Sequence, residues 1–389
     1  MSGNAGGEID MIQETMTAMD RMEAAIRLKP IDRVPCAPLM DVFFPSKYKG
    51  YTMTEAIRDW KKGFSAITDV FDEVEGWDGM ILPGYSIPAI PEAHVIVDFG
   101  KSVMPGAGLD ENQPTQFVEE ESLKREYYDD IIKLGWTGFR KMIQAKINPD
   151  GGERSIKWTT KQMERYKYEI DYWKQRGVRS LCGSFSRSPL MALSTSRSLM
   201  EITKDIYQIP DKLEAVMEAM MDDMIEEAIQ AVKLSGEPGI FLVMERGGGF
   251  YYPLDIYERF EYPHMKRMVE AFAAEGFITI MHLDQDYTLN LPYFLDLPAK
   301  MVVAEFDSTT DIFKAKEILG GHMCIAGDVP AAMLSVGTPE EVEAYCKKLI
   351  DVVGKDSGFI LSTGCTCPVE CKMDNFKVMV NMAKTYYPH

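Results

Sequence analysis

The chain has 389 residues, 46% of them hydrophobic and 11% aromatic, which is ample for one large α/β core or two smaller ones. A formal net charge of -18 and a pI near 4.8 argue against nucleic acid or an anionic membrane surface as the main partner, because both demand a positive face. Residues 1–10 show no basic stretch followed by an apolar one, and no apolar run nears the roughly 18 residues of a spanning helix, so a cytoplasmic protein is expected.

In chain order, residues 11–28 place Met11, Met16, Met19, Met22 and Ile26 near helical spacing, and Lys29-Pro30 ends that helix, which is expected to pack across one end or side of the fold. Residues 33–41 are a short apolar strand edged by proline, followed by an aromatic loop, Phe43-Phe44-Pro45-Ser46-Lys47-Tyr48. Thr52 or Thr54 caps a helix over residues 55–74, and a second strand at 79–83 leads into a proline-rich loop at 87–91.

The rhythm breaks over residues 94–177, where 94–99 and 115–118 read as hairpin arms and 123–147 and 160–176 as helices. This segment is expected to be an insertion that folds over the functional face as a cover. A strand at 178–184 restores the pattern, followed by helices at 190–207 and 210–234. Strands then follow at 240–244, 277–281, 301–306, 323–326 and 359–362, with helices at 254–274, 290–296, 312–319 and 339–353 between them and a closing helix at 373–386.

Eight strands separated by helices specify a single-domain (β/α)₈ TIM barrel with an N-terminal helix and an inserted helical and hairpin segment over the mouth. No G-x-G-x-x-G turn follows any strand, and Gly247-Gly248-Gly249 lacks the dinucleotide-binding spacing.

In such barrels the active site lies at the carboxyl ends of the strands. There the sequence places Glu245, His282, Asp284 and Cys365: two carboxylates, an imidazole and a thiolate. Zinc accepts all three ligand types and keeps an open position in catalytic sites, so Zn²⁺ is the expected occupant. His282 and Asp284 are two apart and can face the same side of a strand. Glu261 and His264 share one face of the next helix and are weaker candidates, since a solvated helix face also explains them. Cys365, Cys367 and Cys371 do not have structural C-x-x-C spacing, so a four-cysteine cluster is not expected. Asp307 and Asp328 end neighbouring strands and either cap the following segments or orient a polar edge of a substrate. His282, Asp307 and Asp328 are thus the candidate catalytic groups. Phe43, Phe44, Tyr48, Tyr85, Phe250 and Tyr251 could line an apolar slot for a ring.

Five stretches carry a resemblance. They are Met22-Glu23-Ala24-Ala25-Ile26-Arg27 through Asp32-Arg33-Val34-Pro35, Gly248 to His264, Ala304-Glu305-Phe306-Asp307, Ala326-Gly327-Asp328-Val329-Pro330 and Ser362-Thr363-Gly364-Cys365. In this order they resemble the uroporphyrinogen decarboxylase superfamily, from about residue 10 to 386. The superfamily has cofactor-free porphyrinogen decarboxylases and zinc-dependent methyltransferases that exchange methyl groups with a corrinoid protein. The decarboxylases carry an arginine-rich segment after the first strand, where this chain has Asp41 to Lys47 and no arginine.

The thiol-directed methyltransferases resemble this chain at His282 and Cys365, but their middle ligand is a cysteine where Asp284 stands here. A carboxylate leaves zinc a better Lewis acid, which favours polarising an ether oxygen over activating a thiolate. The resemblance therefore implies an O-demethylase methyltransferase that moves methyl from a methyl ether, in particular a methoxylated aromatic, to cob(I)amin. No Asp-x-His-x-x-Gly segment occurs, so the cobalamin is expected on a partner protein docked at the mouth. A methylcorrinoid:thiol methyltransferase, a decarboxylase-like lyase and a non-catalytic corrinoid- or metal-binding subunit stay open, as does a monomer or homodimer.

Overall fold

The computed structural model describes residues 14–82, 101–147 and 153–387. Six parallel strands, Cys182–Arg187, Gly239–Val243, Ile278–Leu283, Val302–Phe306, Cys324–Val329 and Phe359–Thr363, lie side by side in chain order. The last five are buried along their whole length, which is why they read as near-continuous apolar runs without alternation. Gly79–Met80 pairs in parallel with Arg179–Ser180, which runs on into the Cys182–Arg187 strand.

Residues 34–39 close the ring. Ala37 N donates to Leu361 O and Leu361 N to Pro35 O on one side, while Asp78 N and Gly79 N donate to Cys36 O on the other. Eight parallel segments thus make the (β/α)₈ barrel. Pro35 and Pro38 lack N–H groups, so the first segment is held by a bridge at Cys36 and Leu361 and not by a full ladder.

The helix Ala18–Ile26, capped by the Thr17 hydroxyl, plugs the bottom of the barrel. Its Met22, Ala25 and Ile26 join an interior cluster with Ile278, Ile280, Cys324 and Ile360. The residues expected to start this helix at 11–13 lie outside the described ones. A larger core sits between strands and helices, and Met217, Met220, Met221, Met265 and Met268 fill it. The expected helix over 55–74 is two, Met53–Arg58 and Trp60–Glu73, because Asp59 leaves helical geometry and caps the second.

The 94–177 segment departs from expectation. Tyr128–Ile147 packs along Pro210–Ser235, with Asp223 Oδ2 accepting from Thr137 N where Gly135, at φ 71°, breaks the helix. Glu153–Gln175 packs its Tyr168, Tyr172 and Trp173 on Phe64 of Trp60–Glu73. Both helices therefore belong to the outer ring and do not cover the mouth. The hairpin pairs Gln116–Val118 with Lys101–Pro105, whereas its expected arm at 94–99 lies outside the described residues. Its far end does reach the mouth, where Glu119 bonds Arg246, the neighbour of Glu245. No helix among the described residues is long and apolar enough to cross a membrane.

Candidate metal centre at the barrel mouth

Ile278 and Ile280 face the barrel interior, so strand alternation turns His282 inward as well, at the carboxyl end. Asp284 follows two residues on, and Phe359–Thr363 delivers Cys365 from the far side of the ring through Gly364. A Cβ at Gly364 would lie 3.3 Å from Asp328 O and 3.4 Å from Ser308 N, so a side chain there would crowd the neighbouring strand end. His282 Nε2 lies 3.3 Å from Asp284 Oδ2 and 3.9 Å from Cys365 Sγ, and Cys365 Sγ lies 2.8 Å from Asp284 Oδ2. Glu245 Oε1 stands 3.8 Å from the same imidazole nitrogen and is 39% exposed.

Among the described residues, His282, Asp284 and Cys365 are the group that could hold a metal ion. Tetrahedral zinc with bonds of 2.0–2.3 Å sets ligand separations of roughly 3.3–3.7 Å. The two imidazole edges sit near that range. The third is a thiol-to-carboxylate hydrogen bond, which a cation would open by about 0.7 Å. Asp284 turns Oδ2 to His282 and Cys365, while its Oδ1 is buried with no hydrogen-bond partner. Donor chemistry, spacing and this unpaired oxygen fit a divalent cation.

The residue that orients the cluster is Glu305, fully buried on the adjacent strand in register with His282. Its Oε2 bonds His282 Nδ1, which points Nε2 at Asp284 and Cys365. A carboxylate behind a ligating imidazole sets tautomer and ring angle and raises ligand basicity. Burial pulls His282 down, but Glu305 and Asp284 outweigh it and hold the imidazole well above its ordinary value. Burial pushes Glu305 up to about 7 against the pull of His282, and Cys365 up to about 11. Burial also raises Asp284, but His282 overrides it and leaves the carboxyl below its usual value. A cation would displace the protons that the imidazole nitrogen and the thiol carry in its absence. Glu305→Gln should weaken metal affinity about tenfold and Glu305→Ala nearer a hundredfold, read by competition with a zinc-chelating dye. Unchanged affinity in both variants would remove Glu305 from the site.

The structure places the other expected residues variously. Asp307 is half-buried, and its Oδ1 accepts from Thr309 N in a loop turn; the cap of the next helix is Asp311. Asp328 is buried, accepts from the Tyr345 hydroxyl and is pushed by burial up to about 7. Phe43 and Phe44 are buried in the outer core, Phe44 against Phe376, so they are not open to a ligand ring. Tyr48 commits its hydroxyl to Glu73, Phe250 stacks edge-on with Tyr251 and is 64% exposed, and Tyr85 lies outside the described residues.

Glu261 and His264 are not on a solvated face, since both are buried. Glu261 sits on a wide helical turn, Tyr257–Glu261, accepts from Ser188 Oγ and is pushed by burial up to about 8. A raised carboxyl favours the folded state fully below its unfolded value near 4.5, and this contribution is lost as pH rises through about 8. Glu261→Gln should therefore flatten part of a fall in thermal stability between about pH 5 and pH 8, by at most a few kcal/mol. Parallel pH profiles of wild type and variant would disprove this.

Sequence reasoning also passed over the wall and the loop anchors. Phe241 packs its ring on the His282 imidazole at a centroid distance of 4.9 Å. Tyr287 donates to Met244 O and Asn290 Oδ1 accepts from Gly249 N at 2.9 Å, so both fix the loop that carries Glu245. Added Cβ atoms at Gly247 and Gly248 would meet the Glu261 carboxyl and the Tyr287 ring, which is what this glycine run is for. A cleft of about 370 Å³ lies at the opposite end of the barrel, but its Arg21 and Arg33 are committed to Asp78. The available chemistry is at the mouth.

A (β/α)₈ barrel with an imidazole, a carboxylate and a thiol meeting at the carboxyl ends of its strands defines the class. The model of the uroporphyrinogen decarboxylase (URO-D) family matches residues 175–386, more than half of the chain, and the chain belongs to that family. Two curated relatives, the methylcobamide:CoM methyltransferases MtbA of Methanosarcina mazei and Methanosarcina acetivorans, are each 30% identical over 133 residues. That stretch is 34% of this chain and spans only 37% of either relative. A solved methyltransferase from Methanosarcina mazei shares the fold, with TM-score 0.62 over 94% of this chain and 98% of that one at 15% identity.

Proposed function

We propose that the chain is a zinc-dependent methyltransferase that takes a methyl group from a methyl ether, a methoxylated aromatic, and gives it to the cob(I)amin of a partner corrinoid protein. The observation that carries this reading is the carboxylate of Asp284 between His282 and Cys365, a harder donor set than two thiolates and an imidazole. Zinc held by these three residues, with Glu245 beside them, would supply Lewis acidity at the ether oxygen. Glu305 keeps the imidazole aimed, and Phe241 walls one side of the cluster from water. Asp307 and Asp328 orient the polar edge of the substrate from neighbouring strands. The aryl oxygen–methyl bond breaks as cobalt(I) takes the methyl, phenolate leaves, and the phenolate gains one proton from solvent. The corrinoid protein docks at the mouth, and the enzyme works in the cytoplasm.

A second reading, transfer from a methylcorrinoid to a thiol, is favoured by the relatives, whose names specify methylcobamide and CoM. In it the thiolate sulfur attacks the methyl, and cob(I)amin is released. Two spectrophotometric assays on zinc-loaded protein separate the readings: cob(I)alamin with 4-methoxybenzoate, and methylcob(III)alamin with 2-mercaptoethanesulfonate. Methylcobalamin formation in the first supports the ether reading; demethylation in the second alone replaces it. Asp284→Cys should shift the ratio of the two rates toward the thiol by at least about tenfold.

A further inference from the structure

An aromatic row at the mouth deepens the ether reading and rests on it. Phe185 is in register with Phe241 on the neighbouring strand, and Phe241 and Val243 belong to the interior cluster, so alternation turns Phe185 toward the barrel axis too. Phe241 is buried, yet Phe185 keeps 42% of its surface exposed. Ring centroids step 4.9 Å from Phe185 to Phe241 and 4.9 Å from Phe241 to the His282 imidazole. The three rings stand in a row whose outer member is partly exposed and whose inner member is the residue whose Nε2 faces Asp284 and Cys365.

We propose that Phe185 is a substrate-recognition residue: its exposed ring is the platform on which the aromatic ring of a methoxylated substrate lies, with the methoxy group directed at the His282, Asp284 and Cys365 cluster. Offset or edge-on ring contacts put centroids about 4.5–7 Å apart, so one substrate ring spans the step from Phe185 toward the cluster. Such a surface recognises flatness and polarisability and selects an aryl over an alkyl methyl ether. It touches the ring and not the breaking bond, so its effect falls on KM and binding and not on kcat. Of the other exposed aromatics, Phe250 leans on Tyr251 and Tyr48 is tied to Glu73, and neither ring joins this row.

The test uses zinc-loaded Phe185→Ala, Phe185→Leu and Phe185→Tyr, with 4-methoxybenzoate and 2-methoxyethanol as methyl donors and the corrinoid protein or cob(I)alamin as acceptor. Calorimetric binding of 4-hydroxybenzoate, the aromatic product, is measured without acceptor. Phe185→Ala should raise KM for the aryl ether and Kd for 4-hydroxybenzoate about tenfold, and Phe185→Leu should recover part of that. Phe185→Tyr, which keeps a flat ring, should recover most of what Phe185→Ala loses for the aryl ether and for 4-hydroxybenzoate, and zinc content should hold in all three variants. An unchanged KM and Kd in Phe185→Ala overturns the proposal, as does a rise in KM for the corrinoid protein alone, which would make Phe185 a partner contact. If wild type turns over neither ether, the ether reading falls. Calorimetry still decides the platform: Phe185-dependent product binding keeps it, and no binding removes it.

Discussion

Purified Cys365→Ser and His282→Ala proteins should fold and carry almost no zinc, where wild type carries about one ion per chain. A structural zinc site with four ligands is worth roughly 10–16 kcal/mol at neutral pH, so one ligand contributes about 3 kcal/mol, a factor of a hundred or more in Kd. With three protein donors the loss of one leaves two, too few to keep the ion through dialysis against a weak chelator. His282→Ala also strands Glu305, a buried carboxyl that burial already pushes up to about 7 and that then stays protonated. Cys365→Ser holds volume and hydrogen-bonding capacity nearly constant, so it isolates the loss of a soft donor. The barrel closes through its own strands and its apolar interior, so circular dichroism and cooperative unfolding should persist in both variants. Elemental analysis of each protein after dialysis gives the answer. Stoichiometric zinc retained by either variant would place the ion elsewhere and remove the basis for reading the mouth as a metal-dependent site.

Much of this architecture is legible in the chain because parallel barrel strands are buried on both faces and so stand out as apolar runs between amphipathic helices. His282, Asp284 and Cys365 could be singled out because each ends or follows such a run. Glu305 could not, although it was seen as part of a motif, since a carboxylate inside Val-Val-Ala-Glu-Phe declares its role only when register puts it beside His282. Phe185 and Phe241 were invisible for the same reason: lateral pairing, absent from linear order, brings their rings into one row. Glu261 and His264 share a helix face that their spacing cannot tell from a solvated one, yet both are buried, with a wide turn at Tyr257–Glu261 in the same helical stretch. The two long helices of the inserted segment carry enough polar residues to suggest an outer cover. Trp136, Phe139 and Trp173, all buried, instead commit them to the ring around the barrel.

Asp78→Ala, far from the mouth, should lower stability by about 3–5 kcal/mol. Its buried carboxylate accepts from Arg21 Nη1 at 2.5 Å, from Arg33 Nη1 and Nη2 at 2.7 and 2.9 Å, and from Cys36 N at 2.9 Å. Both guanidiniums are themselves buried, and truncation would leave them sharing Asp32 and Glu14. The penalty is therefore that of uncompensated charge, not of one lost contact. Position multiplies the effect, because Cys36 N belongs to the segment that closes the barrel, and the N–H groups of Asp78 and Gly79 hold Cys36 O from the other side. Where most neighbouring strands share a ladder, this closure depends on a few polar contacts. Asp78→Asn keeps one carbonyl for Cys36 N but turns an amide donor toward arginine, so it should cost less than alanine and still more than a typical surface change. The urea midpoint should fall in the order wild type, Asp78→Asn, Asp78→Ala, while the folded variants bind zinc with wild-type affinity because the site lies at the opposite end. Equal midpoints would show that the arginines are adequately held by Asp32 and Glu14. Weakened zinc binding in the folded variant would show that closure at the bottom sets the spacing of the ligands at the top.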